Sequence, residues 1–339
     1  MKYSRCILEN HEYDSWNQFA ASCPSSSVYA DTRYLKALSE VLECDFRVLA
    51  IKANGAFAGG IATLEYPTNL GLMVHPRLLL QYNGLVVGSG SSAYPSRVTS
   101  DQIGSTNTIA SFIEEQDYAR TIIRTRWPFD DVRAFMVRGW SATPTYTYLV
   151  SLSDLSGQWQ KVTRDLRRLI RKCEREGVNV TRDDDFESFY RMHVETSARK
   201  GSPIYLSESQ FSEYYRKLTD KGLARLYHAR IGDGSSIASQ LVLAGDHPVS
   251  ETVSACADAR YLKSGGNAFL RWKAFEDLAA DGYTHNDLTD AELNPVTRFK
   301  SQFGGDLKVC FALKYPDSRR LRLKNRVGRV LDLLHWNRR

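Results

Sequence analysis

The sequence has no apolar stretch that approaches the roughly 20 residues a bilayer-spanning helix requires. Its six cysteines (Cys6, Cys23, Cys44, Cys173, Cys256 and Cys310) are scattered, with no Cys-x-x-Cys pair. That spacing excludes a small disulfide-stapled framework and predicts reduced thiols and no metal site. Also missing are a Gly-x-Ser-x-Gly nucleophile elbow, a His-Glu-x-x-His zinc motif and a Gly-Lys-Ser or Gly-Lys-Thr phosphate loop. The chain therefore carries no signature of a serine hydrolase, a zinc protease or a P-loop NTPase. Met1 runs straight into polar sequence, and the expected location is the cytoplasm.

What is present is enough for a large core. The chain has 339 residues, 42% hydrophobic and 25% charged, which is long for one ordinary domain and predicts two. Net charge is +6, yet residues 319–339 hold eight Arg or Lys against one acid, which leaves about −1 for everything before them. The basic character is thus a tail. Leu321, Val327, Val330, Leu331 and Leu334 fall near helical spacing within it. They predict a basic amphipathic helix, which either caps the second domain with a solvated face or lies on anionic lipid or RNA.

The plan of the chain repeats. Residues 47–53, the pair Asn54-Gly55 and residues 56–66 read as a hairpin around a tight turn. Residues 225–231, the pair Asp233-Gly234 and residues 237–244 have the same form. Each follows a predicted helix, over residues 34–41 and 211–218. Between the halves, Trp159, Val162, Leu166, Leu169, Ile170 and Cys173 predict one face of a long helix that Gly177 ends. Arg164, Arg168, Arg171 and Arg175 predict another face, solvated, paired with acids such as Asp183 to Asp185, or set against phosphates. Further on, Ser264-Gly265-Gly266-Asn267 leads into a helix whose Phe269, Trp272, Phe275 and Leu278 share a buried face. Backbone N–H groups at such a helix start suit an anion, although Gly-Gly also simply makes a turn.

Several of these pieces, in order, resemble one family. They are Tyr34-Leu35-Lys36-Ala37-Leu38, the Gly59-Gly60 strand, Gly139-Trp140, and Tyr146-Thr147-Tyr148. Trp159 with the Arg-rich helix, Thr196 and Arg199-Lys200-Gly201 follow, then Asp287-Leu288, Arg298-Phe299-Lys300 and Phe303-Gly304-Gly305. Spread over residues 34–311, they resemble the Fem-like aminoacyltransferases, a branch of the GNAT acyltransferase superfamily. The resemblance implies an α/β (α+β) fold of two tandem GNAT-like domains, each a mixed twisted sheet flanked by helices. We place them at residues 1–150 and 151–318, before the basic helix at 319–339. Two features depart from the family. No heptads between the halves offer the coiled-coil arm of some cell-wall members, and residues 260–268 do not match the Arg or Gln-x-x-Gly-x-Gly or Ala loop that binds acyl-CoA.

The function implied is transfer of an activated acyl group to an amine of a cell-envelope precursor, peptide or small metabolite. The donor is aminoacyl-tRNA or, alternatively, acyl-CoA used to acetylate an amino sugar or amino acid in polysaccharide synthesis. A non-catalytic scaffold, held peripherally at the inner face of the membrane by the basic helix, is a third reading. Either donor is a co-substrate, and no bound cofactor is expected. Aminolysis of an ester or thioester needs placement, a route for the proton and a donor to the oxyanion, with no protein nucleophile. The resemblance sets Lys300 and Phe299 at the transfer centre, Lys300 stabilising negative charge or else paired with Asp287 or Asp290. Asp287 leads the candidate proton acceptors, ahead of Asp290, Glu292, Glu195, His193, His228 and His285. Lys36, Arg77 and Tyr82 are candidates for an acceptor groove, and Arg199, Gly265, Gly266 and Asn267 for further substrate binding.

Overall fold

The computed structural model describes residues 3–76, 79–90 and 92–324. The chain divides into two units, Met1–Pro144 with Cys310–Arg339, and Thr145–Val309. The first unit runs β1 (Ser4–Ile7), α1 (Tyr13–Ser22), α2 (Thr32–Leu42), β2 (Asp45–Ala53) and β3 (Ala56–Thr68). It continues with β4 (Gly71–Val74), β5 (Gly84–Val87), α3 (Pro95–Glu114), β6 (Arg120–Arg124) and α4 (Arg133–Met136), and then β7 (Ser141–Ser151) carries the chain past Pro144. The expected Asn54-Gly55 hairpin forms: both residues are left-handed, with φ of 51° and 82°. Two consecutive positive φ values make the turn whose twist matches paired antiparallel strands.

β2 pairs with β1 and β3, and β3 pairs first with β5 and at its far end with β4. β4 runs parallel to β6. At Gly60, opposite Ala50 of β2, an added Cβ would stand 2.5 Å from the Leu49 carbonyl oxygen, so only glycine fits. Leu49, Ile51 and Ile61 pack with Ile109, Phe112 and Ile113 of α3 and with Phe135 and Trp140.

The second unit runs α5 (Leu155–Lys161), α6 (Arg164–Arg175), β8 (Asn179–Arg182), α7 (Phe186–Lys200), α8 (Glu208–Thr219), β9 (Ala224–Arg230) and β10 (Ser236–Leu243). It ends with β11 (Val249–Ala257), α9 (Gly266–Ala280), β12 (His285–Asp287), α10 (Pro295–Ser301) and the start of β13 (Asp306–Tyr315). The strand order is β7-β12-β11-β10-β9-β8, antiparallel except between β11 and β12. β10 is buried along its length. Ala238 and Val242 join the core formed with α6 and α9, while Cys256, opposite Ser239, meets Phe189 of α7.

The single helix expected from Trp159 to Gly177 is two. Val162 takes an extended ψ of 134°, and the Thr163 N–H donates to the Gln302 carbonyl at 3.0 Å. A tertiary hydrogen bond has overridden a continuous helical pattern. The Asp183 to Asp185 acids do not pair with the Arg stripe of α6 either: Asp183 and Asp185 bind Arg230, and Asp184 accepts from Tyr215. Arg164, Arg168, Arg171 and Arg175 are exposed.

The expected boundary at 150/151 falls at the end of β7, and the chain re-enters the first unit at Cys310 because residues 312–315 pair with β6. Residues 319–324 are helical; the rest of the expected basic helix lies outside the described residues. No described helix is long and apolar enough to cross a membrane.

Candidate active site

β11 and β12 stay together for only three residue pairs, from Val249 with His285 to Glu251 with Asp287. Beyond them β11 continues to Ala257, while the other strand turns away through Thr289 and Asp290. Both turn residues are left-handed, with φ of 47° and 39°, a conformation costly for a β-branched threonine. Hydrogen bonds hold the turn: Asp287 accepts from the Thr147 hydroxyl and from the Thr289 N–H, the latter at 2.7 Å, and the Thr289 hydroxyl donates to the Thr252 carbonyl at 3.1 Å. The split leaves a cavity of about 250 Å³. Among the described residues its lining includes Thr252 and Ser254 of β11, His193, Thr196 and Lys200 of α7, Arg271 of α9 and Lys300 of α10, and no carboxylate.

α10 delivers Lys300. Asn294 caps that helix by accepting from the Thr297 N–H, and Pro295 starts it, two ordinary helix-start devices. Lys300 Nζ donates to the carbonyls of Thr289 and Asp290 at 2.5 and 2.7 Å. The strained turn thus aims two carbonyl oxygens at one ammonium, whose third N–H remains for a ligand. Burial, then the Arg271 charge, lowers the Lys300 pKa to about 8. The expected alternatives, ion pairs with Asp287 or Asp290 side chains, give way to this backbone cradle.

The other expected site residues fare differently. Phe299 stands edge-on to Phe303, with centroids 5.3 Å apart, and beneath the Arg271 guanidinium. Asp287 is buried and braces the turn, so it is not placed as a proton acceptor in the cavity. Glu195 pairs with Arg191 at 3.3 Å and Glu292 is exposed. Of the histidines, His228 is buried against Ser239 and His285 meets Thr284, while His193 lines the cavity with Nδ1 3.4 Å from the Ser254 hydroxyl. Burial, then the Lys200 charge, lowers the His193 pKa and so favours the neutral ring. Arg199 is exposed and donates to the Thr196 hydroxyl at 3.1 Å.

Gly265, Gly266 and Asn267 do not line this cavity. Gly265 caps α9 with φ 95°, and an added Cβ would stand 3.0 Å from Leu169 Cβ, so the glycine serves the close approach of α6 and α9. The Gly266 N–H is taken by the Ser264 hydroxyl at 3.1 Å. Lys36 and Tyr82 belong to the first unit: Lys36 is exposed on α2, and Tyr82 is buried against Tyr29. Arg77 lies outside the described residues. Ligand atoms of Asp183, Asp185 and His228 lie within 4.8 Å of one another, but Arg230 already stands 3.1 and 2.9 Å from the two carboxylates and supplies their counter-charge.

Residues 160–301 match the acetyltransferase (GNAT) domain family. The similarity to a GNAT-type acyltransferase domain is confined to that stretch. This domain lies inside the second unit and contains Lys300, Arg271 and His193. The fold of the whole chain is similar to that of FemX, with a TM-score of 0.71 and 13% identity over 91% of this chain and 96% of that one. It is also similar to L-PGS from Bacillus licheniformis (TM-score 0.57, 14% identity, 93% and 94% coverage). A tandem GNAT protein from the clavulanic acid biosynthesis pathway matches with a TM-score of 0.53 and 10% identity, over 94% of this chain and 100% of that one. No curated protein matches in sequence. A GNAT domain implies an acyl donor and an amine acceptor.

Arg271 and Lys200 were not legible as site residues. Lys200 stands in the family-like Arg199-Lys200-Gly201 string, next to Arg199, the expected substrate-binding residue. Arg271 has one signal in the sequence, a charge set inside the apolar run Phe269, Leu270, Trp272.

Proposed function

We propose that this protein is an N-acyltransferase whose reaction centre is the cavity beside Lys300, with aminoacyl-tRNA as donor and an amine of an envelope precursor, peptide or small metabolite as acceptor. The observation that carries this reading is the Lys300 ammonium, held by two carbonyls at the mouth of a split between two parallel strands with one N–H to spare. The amine nitrogen attacks the acyl carbonyl carbon, a C–N bond forms and the ester C–O bond to the ribose breaks. Lys300 donates to the oxyanion of the tetrahedral intermediate. His193, on the cavity wall, takes the proton from nitrogen and returns it to the departing ribose oxygen.

Acyl-CoA is the second donor reading, favoured by the acetyltransferase description of the matched family. There the C–S bond breaks and the thiol leaves with the proton. Transfer of radiolabel from charged tRNA and, separately, from acetyl-CoA to a panel of amines decides between them. Lys300→Ala is expected to lower the rate about 100-fold or more, the scale of losing an oxyanion donor. Undiminished transfer by that variant would remove Lys300 from the centre.

A further inference from the structure

Arg271 lies mid-way along α9 with only 5% of its surface exposed. Its Nε donates to Gln240 Oε1 at 3.2 Å, and its guanidinium sits 5.6 Å from the ring centroids of both Phe299 and Phe303. Nη1 is buried with no hydrogen-bond partner. Burial alone lowers its pKa, to about 10, with no carboxylate to oppose it. Its helix neighbours differ: Lys273 pairs with Glu174 and Glu276, and Asp277 and Asp281 take up Arg182 and Arg225.

A buried charge without a partner costs stability, and an apolar side chain of the same volume would serve the core better. The arrangement makes sense when a counter-ion arrives from outside. Gln240 holds one edge of the guanidinium, the two phenylalanine rings pack together on one side of it, and Arg271 lines the cavity with no acid to balance its charge there. Lys200 and Lys300 share that cavity, the Ser254 hydroxyl adds a polar group, and no acid among the described residues lines it.

We propose that Arg271, supported by Lys200 and Lys300, forms an oxyanion subsite that binds a carboxylate or phosphate of the substrate. This rests on the reading of the cavity as the reaction centre. It makes the molecule held beside Lys300 an acid, for instance an amine that also bears a carboxylate, and it assigns Arg271 to substrate recognition. A planar guanidinium is suited to that task because it offers paired donors to two oxygens of one anion.

Titration of the full chain with acetate, malonate and inorganic phosphate at fixed ionic strength, followed by calorimetry and thermal melting, tests it without turnover; acetamide is the neutral control. Wild type is expected to bind an oxyanion and not acetamide. Arg271→Met is expected to raise the apparent Kd at least tenfold and to melt, ligand-free, no lower than wild type. Preference for carboxylate or for phosphate identifies the acidic group. Equal anion affinity in wild type and Arg271→Met, or no anion binding by wild type, overturns the proposal. Should Arg271→Met fail to fold, Arg271→Lys decides: weaker binding supports the subsite and unchanged binding overturns it. Failure here leaves the Lys300→Ala transfer assay standing, and an inactive transfer assay leaves the binding result standing.

Discussion

Lys300 holds a charge where charge is costly, and its chemistry follows the proton. With a pKa near 8 against an ordinary 10.5, the ammonium is lost as pH rises through about 8. The transfer rate, kcat/KM, is expected to show a falling limb near pH 8 that is missing in Lys300→Arg, whose guanidinium stays charged. Folding responds with the opposite sense. Between about pH 8 and 10.5 the unfolded chain binds more protons at this residue, so its penalty on stability, up to about 3 kcal/mol, is relieved as pH rises. Urea unfolding of wild type and Lys300→Met at pH 7 and 9.5 checks this; the variant is expected to lose that part of the rise. Asp287 shows why residues alone mislead. Sequence sets it beside the motif, but Thr147 and Thr289 both donate to its Oδ1, the side chain is buried, and in that position it braces the turn. Neither partner is predictable from an acid at a strand end.

At the scale of elements, legibility followed local chemistry. Asn54-Gly55 encodes its own turn, and the helices before both hairpins carried a clear apolar period, so they were readable without a structure. The division between α5 and α6 was not, because its cause, the carbonyl of Gln302, lies far along the chain. Gly265 was legible as a special position and ambiguous in its purpose. A left-handed φ and a neighbour at 3.0 Å make Gly265→Ala costly, about 1–3 kcal/mol in equilibrium unfolding. The surviving folded fraction is expected to keep wild-type anion affinity, since the glycine is absent from the cavity lining. A selective loss of binding at wild-type stability would restore the helix start as a ligand site.

For the whole molecule, the exposed arginines of α6 bear on the donor. Should charged tRNA be bound through Arg164, Arg168, Arg171 and Arg175, affinity falls with salt, and log K against log salt loses about 0.7–0.9 for each phosphate contact. Filter binding of charged tRNA from 50 to 200 mM salt, with wild type and a variant carrying Ala at the four positions, is expected to show a shallower slope in the variant. Equal slopes would detach this helix from RNA. The two-part plan itself was visible in the repeated hairpins, whereas the return of the chain to its first unit was not, because strand order leaves no local mark in sequence.

That return has a consequence for how the protein is made. The strand that covers β6 is written at residues 312–315, after the whole second unit. At a synthesis rate of about 5–20 residues per second, the first unit waits roughly ten to thirty seconds with one edge of β6 unpaired, while the second unit is made in a single continuous stretch. The part synthesised first is therefore the part finished last, and until the ribosome reaches its final stretch it presents the open strand edge on which nascent chains aggregate.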